Sequence, residues 1–220
     1  MNLITGFVNH ILLMKSFALL ILFNLLLFKV HGQKTFDIPE FKNLNPKDTY
    51  PEHSILTTYT TKFDILVSLS GYSNWGPDHN IKVFAYNKSG WYKIELNTDP
   101  FYFDKSVRDS IYKINDSIGK IIWDSLIENH LFIMEDERTK KMRCVGKQDT
   151  IKHKNGKIEI VETMYDIDDG PEYEFDIITK NNFKKLYFYS PQYYNENCRI
   201  VEERTWIINC ISIFEKHLGK

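Results

Sequence analysis

The side chains best suited to chemistry in this chain are carboxylates that alternate along short segments. Glu172, Glu174 and Asp176 recur at every second position, and Glu159 and Glu162 form a second group. Paired carboxylates can serve as acid and nucleophile, or acid and base, in glycoside cleavage. Charges that alternate along a strand are more typical of its solvated face. We therefore favour a protein without enzymatic activity, and a secreted carboxylate-based hydrolase is the first alternative.

Other patterns of catalysis and metal binding are missing from the sequence. Residues 166–170 offer oxygen ligands, but Gly170 stands where a calcium loop needs another ligand, so a turn is the better interpretation. The seven histidines lack metal-ligand spacing, and no Cys-x-x-Cys, Gly-x-Ser-x-Gly or glycine-rich phosphate loop occurs. The sequence predicts no cofactor, no metal site and no catalytic residue.

Aromatic residues make up 15% of the chain, which raises the question of whether some of them bind a ligand. Several lie in or beside segments rich in glycine, asparagine and proline. Exposed rings of this kind anchor protein partners or stack on sugars, whereas the alternative is a small second core beneath a loop. The candidate binding residues are Tyr72, Trp75, Trp91, Tyr187, Tyr189, Tyr193 and Tyr194.

The three cysteines are Cys144, Cys198 and Cys210. In an oxidising compartment, an odd count allows one disulfide and one free thiol. Cys198 and Cys210 would lie about 18 Å apart on a single helix, too far for a disulfide. The predicted pair is therefore Cys144 with Cys198 or Cys210, and three buried free thiols are the alternative.

The N-terminal segment predicts where the protein goes. Residues 16–28 form an unbroken apolar run after Lys15, and Val30 and Gly32 suit cleavage before Gln33. The run is shorter than the roughly 20 residues that a membrane-spanning helix needs. We expect residues 1–32 to be a signal peptide, with Met14 as an alternative start, and the protein to be exported to the periplasm or secreted. Anchoring to the membrane by an uncleaved N-terminal helix is the alternative.

Turn signals and alternating hydrophobicity divide the rest of the chain into strands. Residues 88–90 (Lys-Ser-Gly) and the Asn155-Gly156 pair predict two hairpins. Glu174 or Asp176 opposite Lys185 would help to set the register of a third pair. The predicted strands cover residues 63–70, 81–87, 91–97, 143–154, 157–165, 173–177 and 184–190.

Helical spacing occurs in two places. Apolar residues recur at three and four positions from Val107 to Ile122, which predicts a long helix capped by Asp104, or two helices that meet near Asp116. A C-terminal helix places Ile200, Ile207, Ile211, Phe214 and Leu218 on one stripe. Residues 191–197 between the last strand and this helix are predicted to be a loop.

These elements predict an α+β fold: an antiparallel twisted sheet of about six to seven strands, with a long central helix and a C-terminal helix packed on one face. Residues 33–55 form an extended lead-in, and residues 56–220 form a single domain. The net charge of −1 and the absence of a basic stretch argue against a nucleic-acid partner. We expect a small exported protein of the bacterial envelope that binds a protein or a glycan. An immunity or inhibitor protein with a projecting loop around Trp75 is the second alternative.

Overall fold

The computed structural model describes residues 36–45, 48, 55–72, 79–98, 108–138, 148–162, 167–198 and 200–219. The chain divides into two compact units, Met1–Ile38 and Pro39–Lys220. Of the first unit only residues 36–38 are described, and they belong to no helix or strand. The predicted signal peptide therefore lies outside the described residues. All elements below belong to the second unit.

The second unit contains eight described strands and four described helices, which confirms the predicted α+β class. The strands are β1 (Ile65–Tyr72), β2 (His79–Asn87), β3 (Gly90–Thr98), β4 (Arg108–Ile114), β5 (Gln148–Lys152), β6 (Ile158–Glu162), β7 (Glu172–Thr179) and β8 (Phe183–Tyr189). The helices are α1 (Ile55–Tyr59), α2 (Asp116–Glu128), α3 (Pro191–Asn197) and α4 (Glu202–Leu218).

Six strands form one antiparallel sheet in the order β4-β3-β2-β1-β7-β8, and β5 and β6 form a separate two-stranded sheet. The two predicted tight hairpins, β2–β3 and β5–β6, are both present. Gly90 and Gly156 have positive φ angles of 124° and 79°, a backbone conformation that glycine adopts readily. The turn chemistry visible in the sequence therefore determines these two connections.

Helices α2 and α4 pack on one face of the large sheet, which we call the α2/α4 face. Trp91 of β3 contacts Trp123 of α2, with ring centroids 5.8 Å apart, and Phe175 of β7 meets Phe214 of α4 edge-on at 5.4 Å. The opposite face, the α1 face, carries Leu66 and Ile178, which pack with Leu56 and Tyr59. This second layer covers the sheet around β1, β2 and β3.

The predicted long helix is wrong in its first half. Residues 108–114 form β4, the edge strand beside β3, and α2 begins only at Asp116. Ile111 and Ile114 satisfy helical spacing, but pairing of the β4 backbone with β3 outweighs that local pattern. The Asn115 side chain caps α2 by accepting a hydrogen bond from the Ser117 N–H at 2.9 Å. The predicted cap, Asp104, lies outside the described residues.

The prediction of a loop after β8 is also wrong, because residues 191–197 form the short helix α3. Pro191 stands in its first turn, where a missing N–H costs no hydrogen bond. The C-terminal helix is confirmed, with Ile207, Ile211, Phe214 and Leu218 buried. Ile200 precedes the helix and is 71% exposed, so it does not belong to the buried stripe.

Candidate functional site

The α1 face carries a cluster of polar and aromatic side chains where β1, β7 and β8 lie side by side. The strand register aligns Ser68 with Asp176 and Lys185, and the next row aligns Ser70 with Glu174 and Tyr187. Directly paired residues of antiparallel strands point to the same side of a sheet. Tyr72 and Glu172 begin a third row. We call Tyr72, Glu174, Asp176, Lys185 and Tyr187 the platform.

Lys185 lies between the two carboxylates of the platform. Its Nζ donates a hydrogen bond to Glu174 Oε1 and lies 3.6 Å from Asp176 Oδ1. The sequence prediction that Glu174 or Asp176 lies opposite Lys185 is confirmed for Asp176, which is the register partner of Lys185. The side chain of Asp176 is 14% exposed and that of Lys185 28%, so the ion pairs are only partly open to solvent. One ammonium thus neutralises one of two neighbouring negative charges.

Burial and neighbouring charges shift the protonation equilibria of the platform. Burial raises the pKa of Asp176 to about 6, because Lys185 only partly offsets the loss of hydration and Glu174 adds repulsion. For Lys185, burial acts to lower the pKa, but Asp176 and Glu174 outweigh it and raise the pKa above the usual value. The pKa of Tyr187 rises to about 12 through burial and through Glu172. The pKa of Tyr72 is also raised, by burial and by Glu174. Tyr72 and Tyr187 therefore both keep their protons at neutral pH.

A second charged group borders the platform. The Arg138 guanidinium contacts Asp48 and Asp136 and donates a hydrogen bond to the Lys185 carbonyl at 3.1 Å. Asp136 is buried, and Asp48 is close enough to Asp176 to contribute to its raised pKa. Arg138 therefore fixes the chain that passes beside β8. The sequence carried no spacing signal for this group, since Asp48 and Arg138 are 90 residues apart.

The remaining candidate tyrosines gather at the end of β8. Tyr193 and Tyr194 of α3 contact each other edge-on at 5.5 Å, and Tyr189 lies 6.2 Å from Tyr194. The Tyr189 hydroxyl donates to the Ile167 carbonyl at 2.7 Å and accepts from the Gly170 N–H at 2.9 Å. Arg204 of α4 lies over the Tyr194 ring at 5.3 Å. These rings join α3 to its neighbours and are half-buried, so their first role is packing.

Trp91 is removed from the candidate surface by the structure. Trp91, one of the candidate binding residues, is only 7% exposed. Its ring stacks on Phe84 at 4.9 Å and packs against α2. A large ring beside a tight turn is buried here because α2 crosses directly over it. Trp75 lies outside the described residues.

Ser190 has a backbone geometry that deserves comparison with a nucleophilic serine. It follows β8, precedes α3 and adopts the left-handed region at φ 43° and ψ 49°, as a serine does on a sharp strand-to-helix turn. However, Ser190 is 1% exposed, and its hydroxyl donates to the Pro171 carbonyl at 3.4 Å. The next residue is Pro191, which has no N–H to stabilise an oxyanion. Ser190 therefore closes a turn and is unsuited to attack a substrate.

The cysteines and possible metal ligands add no chemistry at the platform. Cys198 is disulfide-bonded, whereas Cys210 is a buried free thiol whose pKa is raised by burial to about 12. Cys144 lies outside the described residues, so its pairing stays a prediction. Because Cys210 is a free thiol, Cys198 is the favoured partner of Cys144. Within the described ranges, no group of three acidic, histidine or cysteine side chains could hold a metal ion.

Comparison with protein-family models and with curated protein sequences finds no match for this chain.

Proposed function

We propose that this protein is an exported, non-catalytic binding protein and that the platform is its ligand surface. The observation that carries the proposal is the position of two half-buried tyrosines, Tyr72 and Tyr187, around the Glu174–Lys185–Asp176 cluster on one sheet face. Aromatic rings supply contact area at low conformational cost, and fixed polar groups supply orientation. Aromatic rings and fixed polar groups together on a rigid sheet are typical of a binding site.

The chemistry of the platform favours a glycan over a protein as its ligand. The centres of protein interfaces are depleted of charged residues, whereas two carboxylates and one ammonium meet here on the neighbouring strands β7 and β8. Sugar hydroxyls donate hydrogen bonds to carboxylates and accept them from an ammonium, while the apolar face of the ring stacks on tyrosine. A polyhydroxylated ligand therefore matches all the groups present.

A carboxylate-based hydrolase is the second candidate, and the raised pKa of Asp176, about 6, is the observation in its favour. The position of Lys185 argues against it. Its Nζ contacts both carboxylates and so occupies the space between them, where a retaining or inverting glycosidase places the scissile bond. This arrangement therefore favours binding over cleavage in our proposal.

Export remains part of the proposal and rests on the apolar run at residues 16–28. Among the described residues, no helix combines the length and hydrophobicity needed to cross a bilayer. Expression from Met1 followed by fractionation and intact mass tests this part. A species that begins at Gln33 in the exported fraction is expected. A product of full mass in the membrane fraction would favour the anchored alternative.

The ligand proposal is tested by glycan binding of the purified protein and three variants. We expect Tyr72→Ala and Tyr187→Ala each to weaken binding of any glycan found in an array by about tenfold, equal to about 1.4 kcal/mol. Tyr112→Ala is the matched control, because Tyr112 is a 52% exposed strand tyrosine of β4, far along the sheet from β8. It should bind as the wild type does.

Three outcomes would contradict the proposal. Equal binding by the wild type and both platform variants would place the ligand elsewhere. Shortened oligosaccharide products after incubation would favour the hydrolase. Failure to bind any glycan, together with tight inhibition of a secreted enzyme or toxin, would favour the immunity or inhibitor function.

A further inference from the structure

The turn of the β5–β6 hairpin contains the one asparagine of the sequence that precedes a glycine, Asn155 before Gly156. Every residue from position 149 to position 160 is exposed. A Cβ placed on Gly156 would meet no described atom within 4 Å beyond its neighbours in the chain. The amide of Asn155 and the backbone that follows it are therefore open to water and have room to rearrange.

The side chain of Asn155 is held in a way that favours attack on its amide carbon, Cγ. Its Oδ1 accepts a hydrogen bond from the Lys157 N–H at 3.0 Å. When a nucleophile adds to Cγ, negative charge develops on Oδ1, and a donor that is already in place stabilises this charge. The backbone nitrogen of Gly156 is a nucleophile that closes a five-membered ring with Cγ. Glycine has no side chain to obstruct that approach.

One hydrogen bond restrains the attacking nitrogen. The Gly156 N–H donates to the His153 carbonyl at 2.9 Å, so the turn must open before the nitrogen can reach Cγ of Asn155. Among the described strands, β5 and β6 pair only with each other. An isolated two-stranded sheet is marginal in water, and exposed elements of this kind open locally at a small cost in free energy. The restraint on the Gly156 nitrogen is therefore weak.

We propose that Asn155 is a site of spontaneous modification, at which the chain converts its own asparagine into aspartate and isoaspartate. The Gly156 nitrogen bonds to Asn155 Cγ, and its proton leaves with the side-chain NH₂ as ammonia, so that a succinimide remains. Water then opens the ring. Addition of water at Cγ restores the normal peptide as aspartate. Addition at the backbone carbonyl carbon leaves the chain running through Cγ as isoaspartate, and neither route consumes an oxidant or a cofactor.

The modification changes both the charge and the backbone of the turn. Each product carries a carboxylate in place of the Asn155 amide, so the chain becomes more negative by one charge. Isoaspartate also adds one carbon to the main chain, directly between the residues that His153 binds through its backbone. We therefore expect the modified hairpin to pair less well than the original. The proposal is independent of what the platform binds, because it involves other residues on another sheet.

Peptide mapping by mass spectrometry of the full chain, aged in neutral buffer, tests the proposal. Asn87 is the matched control within the same molecule, because it also lies in a hairpin turn and its Oδ1 accepts from the Ser89 N–H at 2.8 Å. The residue after it is Lys88, and its hairpin belongs to the six-stranded sheet. Asn155 should be converted about tenfold or more faster than Asn87. The variant Asn155→Gln, whose ring would have six members, should stay unmodified over the same period.

The same mapping in concentrated urea gives the rate for the unfolded chain. The rate at Asn155 in the folded protein should lie within about tenfold of that value, because opening of the turn costs little. An Asn155 that reacts in urea but stays intact in the folded protein would overturn the proposal, as would equal rates at Asn155 and Asn87. Fragmentation of the modified peptide should show isoaspartate. Aspartate alone would indicate direct hydrolysis of the amide and would also overturn the proposed route.

Discussion

Asp176 is the most deeply placed acid of the platform, and its surroundings favour its neutral form. Its side chain is 14% exposed, against 23% for Glu174, and both share the ammonium of Lys185. One cation cannot fully compensate two carboxylates that have lost part of their hydration. The Arg138 group adds Asp48 to the negative charges nearby. Stability should therefore depend on pH through this residue.

The first prediction concerns Asp176→Asn. Because the pKa of Asp176 is about 6 in the folded protein and 3.8 without its surroundings, the folded state holds a proton that the unfolded chain has lost between these values. The proton on Asp176 stabilises the folded protein fully below about pH 4, and this contribution is lost as the pH rises through about 6. Urea unfolding gives the free energy of unfolding of the variant and of the wild type at each pH. Between about pH 4 and about pH 6, the value for Asp176→Asn should rise relative to that of the wild type by up to about 3 kcal/mol.

Asp168→Asn is the control for that experiment, since Asp168 is exposed in the turn before β7. Its stability should follow that of the wild type across the same pH range. A constant difference between Asp176→Asn and the wild type would show that Asp176 titrates normally and that burial does not govern its proton.

At the scale of elements, α2 and β3 approach each other closely at Gly119. A Cβ added at Gly119 would lie 2.2 Å from Cγ of Trp91, a distance that real Cβ atoms do not show. Gly119 is unfavourable inside a helix by itself, by about 1 kcal/mol relative to alanine. Its presence lets α2 lie directly on the Trp91 ring, which in turn stacks on Phe84. At this position, the close packing of α2 on the sheet outweighs the low helix propensity of glycine.

The second prediction follows from this contact. Gly119→Ala should destabilise the protein by about 2 kcal/mol, because overpacking costs more than the gain in helix propensity. Lys120→Ala, one position further on the exposed side of α2, should change stability by less than about 0.5 kcal/mol. Chemical denaturation of both variants gives the comparison. A more stable Gly119→Ala would mean that α2 can move away from Trp91.

The elements also show which parts of the fold a sequence can predict. Hairpins joined by Lys-Ser-Gly and Asn-Gly are local, so their turn residues identify them. β4 was missed because its isoleucine spacing suits a helix as well, and only its neighbour β3 decides between them. Tyr72 and Tyr187 lie on one sheet face only because β1 and β8 flank β7, which is a non-local arrangement. The sequence identifies each tyrosine as a candidate binding residue, but it does not show that the two belong to one site.

At the scale of the whole molecule, the cysteines connect distant parts of the chain. Cys198 ends α3 and is disulfide-bonded, whereas Cys210 is a free thiol inside α4. Cys144 is the third cysteine and precedes β5 by four residues. A bond from Cys144 to Cys198 would enclose the β5–β6 hairpin, β7, β8 and α3 in one loop. Such a bond would fix the base of the exposed hairpin and would suit the oxidising compartment that the N-terminal segment predicts.

The last prediction is that the protein contains this disulfide, as its proposed export to an oxidising compartment implies. Without reductant, its mass should be lower by two hydrogen masses, and a digest should contain one peptide pair that joins Cys144 to Cys198. Cys144→Ser should lower the free energy of unfolding by about 2–4 kcal/mol, because the unfolded chain regains the entropy of an open loop. Cys210→Ala should keep the bond. A linked pair that contains Cys210 would contradict the free, buried thiol in α4, and a fully reduced protein would argue against export.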